Sequence, residues 1–161
     1  MNIIKQQGVG LVEVLVALLL LTIGVLGFAA LQLRAIDASL EANKQVLAVT
    51  IARDLAERMR ANPQAVRDGE YKVGAVDIPA TVTNAVGKVA EIAQQDLKNA
   101  ALQAKSNGMN LSVASCPTEN TRQCIYVAWE QTSLAGSNGL ENCIKDGVYV
   151  SGSHCLFLEA Y

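Results

Sequence analysis

Hydrophobic positions near the start of the chain predict one long helix with two different halves. Residues 11–33 are almost continuously apolar, and at about 1.5 Å per residue such a helix is long enough to cross the hydrocarbon of a bilayer. After residue 33, apolar residues recur four or seven apart and so form one stripe of a helix: Ile36, Leu40, Leu47, Ile51, Leu55 and Met59. Asn62-Pro63 disfavours further helix, so we predict a helix over about residues 9–61. We expect the sheet of a following domain to cover the stripe from Ile36 to Met59.

Beyond Pro63 the pattern becomes mixed and then changes period. Turn residues interrupt residues 64–84, where short strands are expected at 71–73 and 80–82. Residues 87–105 regain a weak apolar face at helical spacing and end before Asn107-Gly108. From Met109 the period is two, which predicts strands near 111–115, 124–130, 148–150 and 156–160, with a hairpin turn at Asp146-Gly147. The pattern therefore predicts an α+β fold with an antiparallel sheet of three to five strands.

One ionisable residue, Glu13, interrupts the apolar half of the helix. The Leu, Val, Ile and Phe residues there, about fifteen in number, each favour insertion by roughly 0.3–0.6 kcal/mol, whereas a carboxylate opposes it by about 2.5–3.5 kcal/mol at the bilayer centre. Insertion is therefore favourable in spite of Glu13. A carboxylate within a membrane segment usually has a function and a partner of opposite charge, so we look for such a partner of Glu13.

The residues around Gly8 indicate what that partner is. Only seven residues, including Lys5, precede Gly8, and a cut after it would keep the apolar helix rather than discard it. The run Gly8-Val-Gly-Leu-Val-Glu13 resembles the class III leader of type IV prepilins and pseudopilins. This resemblance implies that a membrane aspartyl peptidase cuts after Gly8, that it methylates the new amine of Val9, and that Glu13, fifth in the mature chain, meets that amine. The chain departs from the family at Val9, where phenylalanine or methionine is most frequent, and a cut at Gly10 would make Glu13 only the third residue.

The order of elements also resembles a pilin, in which a long N-terminal helix leans on a C-terminal sheet with its disulfides. The leader, the Leu31-Gln-Leu-Arg continuation and the Tyr126-Val-Ala-Trp strand are most similar to the PilV-type minor pilins. The resemblance implies a leader at 1–8, a transmembrane and filament-core helix at 9–33 and a head domain at 34–161.

The function implied by this resemblance is that of a minor pilin incorporated into a type IV pilus, or initiating its assembly. The implied partners are the prepilin peptidase, other minor and major pilins, the inner membrane and the pilus assembly machinery. The chain would sit in the bacterial inner membrane with its N-terminus in the cytoplasm before it joins the fibre at the cell surface. Two alternatives remain open: a minor pseudopilin of a type II secretion system, and an uncleaved tether that holds a periplasmic binding module.

All four cysteines lie in the last third of the chain. An even number in an exported segment predicts two disulfides and an oxidising compartment such as a periplasm. Three pairings are possible; we favour Cys116–Cys124 and Cys143–Cys155, each of which closes a short loop. The absence of a CxxC pair and the single histidine argue against a metal site.

Composition and motifs exclude several other classes of function. A net charge of −2 and a pI near 5.4 provide no basic field for nucleic acid. The sequence contains no Walker loop, HExxH or GxSxG motif, and His154 in a Gly/Ser turn is a poor candidate for catalysis. The acidic residues Glu41, Asp54 and Glu57 fit a solvated helix face. We therefore expect neither an enzyme nor a cofactor.

Overall fold

The structure is a computed structural model that describes residues 10–76, 87–117, 121–136 and 138–160. The chain divides into two compact units, Met1–Ala42 and Asn43–Tyr161. Its helices and strands follow one another as α1 (Leu11–Ala61), α2 (Pro63–Arg67), β1 (Gly74–Ala75), α3 (Lys88–Ser106), β2 (Met109–Ser115), β3 (Gln123–Trp129), a 3₁₀ turn (Leu140–Asn142), β4 (Ile144–Lys145), β5 (Val148–Tyr149) and β6 (Cys155–Glu159).

The single long helix predicted from the sequence is confirmed by α1, which ends at Ala61 as expected. Its first turn is closed by the backbone N–H of Glu13, which donates to the carbonyl of Gly10 at 2.9 Å. Pro63 cannot continue α1, but its fixed φ suits the first position of a new helix, and α2 begins there. The sequence prediction missed α2 because five residues are too few to show a helical period.

The apolar stripe of α1 is covered over a shorter length than the sequence predicted. Its buried residues lie between Ala48 and Met59, whereas Ile36 and Leu40 are 55% and 57% exposed. The prediction that the stripe is covered from Ile36 onward is therefore wrong. Ile36 and Leu40 belong to the first unit, in which the described residues form no second element that could cover them.

In the second unit a four-stranded antiparallel sheet packs one face against α1 and α3. The strand order is β1-β2-β3-β6, and the register places Leu111 opposite Val127 and Ile125 opposite Leu158. These residues alternate along their strands, so they point to the same face and join Ile51 and Leu97 of the two helices in one core. This arrangement confirms the predicted α+β fold, with the helix packed on a small sheet.

The other face of the sheet is covered by the chain between β3 and β6. Tyr126 and Ala128 of β3 pack there against Leu134, Ile144 and the cysteines. All seven residues of β3 are consequently buried, and the strand is central to the unit. The predicted hairpin at Asp146-Gly147 is present, with φ of 52° and 78°, but β4 and β5 form a separate two-stranded sheet.

The first strand begins later than the sequence predicted, and the last strand has a hydrogen bond that the sequence did not predict. The strand expected at 71–73 is displaced to Gly74–Ala75, because residues 69–72 form a turn after α2, closed by the N–H of Lys72, which donates to the carbonyl of Gly69 at 2.9 Å. The strand expected at 80–82 lies outside the described residues. On β6, the last strand of the sheet, the backbone N–H of Phe157 donates to the hydroxyl of Tyr149 at 3.2 Å.

Candidate functional site

The first half of α1 exposes a long row of large apolar side chains. From Leu11 to Leu33 these side chains are 47–78% exposed. Among the described residues, α1 is the one helix long and apolar enough to cross a membrane, and its apolar window is not buried in the protein. Such a surface requires a lipid or protein environment.

Glu13 lies in the first turn of this apolar helix and is exposed. Within the described part of the chain, no cation pairs with its carboxylate. About one and two turns on, the side chains on the same side of the helix are Ala17 and Leu20, four and seven residues later. In an apolar environment this carboxylate would lack any counter-charge supplied by the described residues, and an unpaired charge there is costly.

Small residues accompany Glu13 along one face of α1. At 3.6 residues per turn, about the spacing of an ideal helix, Ala17, Gly24 and Gly27 lie within about 40° of Glu13. A methyl group added to Gly24 or Gly27 would meet nothing within 4 Å. The described chain itself therefore does not require glycine at these positions, although each glycine lowers helix propensity by about 0.8–1 kcal/mol relative to alanine.

The two residues that the sequence places at the cleavage site, Gly8 and Val9, lie outside the described residues. Of the three assembly residues proposed from the sequence, the structure therefore locates Glu13 alone. It places Glu13 three residues after Gly10, at the start of the helix.

The cysteines form the two disulfides favoured from the sequence. Cys116 is bonded to Cys124 across the β2–β3 connection, and Cys143 is bonded to Cys155 at the start of β6. Cys124 and Cys143 are fully buried, and both bonds lie on the sheet face opposite the helices. The Cys143–Cys155 bond ties the covering segment to β6, on the same face as the stacked rings of Tyr126 and Phe157.

A buried polar cluster in the core was missed by the sequence prediction. The hydroxyl of Tyr71 donates to Asp96 Oδ2 at 2.8 Å, and Arg58 Nη1 donates to Asp96 Oδ1 at 3.4 Å. Burial, and then the hydrogen bond to Asp96, raise the pKa of Tyr71 well above its ordinary value. Arg58 also pairs with Asp54 at 2.9 Å. The one sequence signal for this cluster was a carboxylate on the apolar face of α3.

His154 is held in place by contacts of both its backbone and its side chain. Its backbone N–H donates to Thr132 Oγ1 at 2.8 Å, and its Nε2 lies 3.4 Å from Glu130 Oε2. The imidazole also meets the ring of Trp129 edge-on, with centroids 6.3 Å apart. These contacts fasten the start of β6 to the end of β3.

Comparison with known proteins places the chain in a family. A family model described as type IV pilin Tt1218 (Tt1218-like) matches residues 30–124, more than half of the 161 residues. A second model, the prokaryotic N-terminal methylation motif, matches residues 3–29. No curated protein and no solved structure matches the chain significantly. The long helix packed on a disulfide-bonded antiparallel sheet agrees with the first match, and the chain therefore belongs to the Tt1218-like family of type IV pilins.

Proposed function

We propose that this pilin is a minor subunit of a type IV pilus, made as a prepilin and assembled through α1. The proposal divides the chain into a leader at 1–8, a membrane and filament-core helix at 9–33 and a head at 34–161. Before assembly the helix would lie in the bacterial inner membrane with its N-terminus in the cytoplasm. The partners would be the prepilin peptidase, the assembly machinery and other major and minor pilins. The resemblance to PilV-type proteins favours a minor rather than a major subunit.

The observation that carries the proposal is Glu13, a carboxylate on an apolar helix with no counter-charge among the described residues. Cleavage after Gly8 would create an amine at Val9, four residues before Glu13. That amine, in the same chain or in a neighbouring subunit, would supply the missing positive charge. Because an unpaired charge in an apolar surrounding costs several kcal/mol, the pair would favour one axial register between subunits.

The small residues on the Glu13 face support the same proposal. Gly24 and Gly27 leave open space where a side chain would otherwise stand. Small residues let helix backbones approach closely in an apolar environment, where van der Waals packing replaces the hydrophobic effect. A neighbouring helix packed on this face would explain why the chain tolerates the weaker helix propensity there.

The first experiment determines the mature N-terminus. Protein extracted from membranes and from sheared pili would be examined by mass spectrometry, and we expect it to begin with methylated Val9. A Gly8→Leu variant should remain full length and membrane-bound, since insertion depends on the unchanged helix. A wild-type protein that retains Met1 would identify an uncleaved tether, and recovery in a secretion pseudopilus would identify a type II pseudopilin.

The second experiment separates assembly from insertion. Glu13→Gln and Glu13→Ala should insert in the membrane and be cleaved as wild type, but be depleted from sheared pili. Thr22→Val is the matched control, because Thr22 lies on the opposite face of α1 and its hydroxyl already donates to Leu19 O at 2.8 Å. Equal incorporation of all variants would mean that Glu13 has no role in assembly.

A further inference from the structure

Three polar segments of the second unit border an open pocket next to the end of β3 and the start of β6. Residues 131–133, 141–142 and 150–153 surround about 340 Å³. That volume is within the range of roughly 300–1,000 Å³ for small-molecule pockets. We call this space the loop cavity.

The frame of the loop cavity is preformed. Asn142 Nδ2 donates to the carbonyl of Ser133 at 2.9 Å and joins the first two segments. The backbone N–H of Val150 donates to the carbonyl of Cys143 at 3.0 Å and so joins the third segment to the end of the second. The Cys143–Cys155 disulfide closes the loop that contains the third segment. A cavity held in this way loses little conformational entropy when a ligand enters.

The side chains around the cavity favour a neutral ligand rich in hydroxyl groups. Seven of the nine described lining residues have polar side chains, and none of the nine is cationic or aromatic. Cationic side chains are the strongest partners of phosphate and carboxylate ligands, and Ca²⁺ takes six to eight oxygen ligands that include carboxylates. The cavity has the single carboxylate of Glu141.

Several of these groups are available to a ligand. Among the described residues, Gln131, Glu141 and Ser151 make no side-chain hydrogen bond to the protein, and all three are exposed. An amide offers both donors and acceptors, a carboxylate accepts from two adjacent hydroxyls, and a serine does either. We propose that the loop cavity binds a neutral saccharide, with Gln131 and Glu141 hydrogen-bonded to its hydroxyl groups.

The test uses the full chain in dodecylphosphocholine, a detergent without a sugar headgroup. Saturation-transfer NMR would be recorded with galactose, mannose and N-acetylglucosamine as probes. At least one should bind, and Gln131→Ala or Glu141→Ala should weaken its binding about fivefold, the equivalent of about 1 kcal/mol for one hydrogen bond. Matched controls are Gln103→Ala and Glu91→Ala, the same changes at exposed positions of α3.

Three outcomes would overturn the proposal. The first is that none of the three saccharides gives a saturation-transfer signal. The second is that the site variants bind as tightly as the controls, which would place the ligand elsewhere. The third is that Glu141→Gln abolishes binding while Gln131→Ala leaves it unchanged, because this pattern would report a requirement for charge rather than recognition of hydroxyl groups. Retained binding in Glu141→Gln, together with weaker binding in Gln131→Ala, supports the proposal.

Discussion

Removing the hydroxyl of Tyr71 should destabilise the second unit. Tyr71 is fully buried and Asp96 is 8% exposed, and their hydrogen bond of 2.8 Å ends on a carboxylate. Hydrogen bonds to charged groups contribute about 1.5–3 kcal/mol, and a buried acceptor left without its donor loses its solvation as well. The second partner of Asp96 is weaker, because the Arg58 side chain is 43% exposed and lies 3.4 Å away, and exposed ion pairs contribute about 0–1 kcal/mol. We therefore expect Tyr71→Phe to lower the free energy of unfolding by about 2 kcal/mol.

Trp129 provides the assay for this prediction. It is the single tryptophan of the chain and is buried in the same core as Tyr71, so its fluorescence reports unfolding of this unit in a urea titration. A loss of about 2 kcal/mol should lower the urea midpoint by about 1 M. Tyr149→Phe is the matched control, since Tyr149 is 48% exposed and its hydroxyl accepts the N–H of Phe157.

A double-mutant cycle separates the bond from other effects of the substitution. The loss from Tyr71→Phe should be much smaller in an Asp96→Asn background, because the charged acceptor is already gone. A midpoint for Tyr71→Phe equal to that of wild type, or full additivity with Asp96→Asn, would refute the reasoning.

Three other predictions use the same titration. Replacing Cys143 and Cys155 together by serine should destabilise the unit by about 3 kcal/mol, because the bond closes a separation of 12 residues; an unchanged midpoint would exclude a stabilising role for this bond. Gly139→Ala should lower the midpoint, since its Cβ would lie 2.1 Å from the carbonyl oxygen of Leu134, and wild-type stability would show that the loop adjusts freely. Finally, the raised pKa of Tyr71 contributes stability that is complete below about pH 10 and is lost as the pH rises further; the alkaline decline should be shallower in Tyr71→Phe, and an identical decline would contradict this.

The sequence alone was sufficient for features that depend on local patterns. The end of α1 follows from Asn62-Pro63, and the Asp146-Gly147 hairpin follows from residues that accept positive φ. The proposal for Glu13 also rests on a local signal, because one carboxylate in a long apolar run is conspicuous in any sequence.

Features that depend on contacts between distant segments could not be predicted. The covered length of α1 is set by the extent of the second unit, so Ile36 and Leu40 have the right spacing but lack a cover. In the sequence, Asp96 merely interrupts the apolar face of α3. The structure shows its role, because the hydroxyl of Tyr71, 25 residues earlier, donates a hydrogen bond to it. The loop cavity likewise combines three segments whose polar residues resemble ordinary turns when each is taken alone.

The hydrogen bond from the Phe157 N–H to the Tyr149 hydroxyl affects how copies of the chain can interact when they are crowded together. In the antiparallel strand β6, the backbone N–H and C=O groups of Leu156 and Leu158 point towards β3. The N–H of Phe157, between them, therefore points outward from the last strand of the sheet. An outward N–H on an edge strand is a template on which another extended chain can add, and natural proteins block such edges to avoid aggregation. Here the hydroxyl of Tyr149, from the β4–β5 hairpin, already accepts a hydrogen bond from this N–H. Where copies of the chain are crowded together, this contact would disfavour strand-to-strand aggregation at the β6 edge.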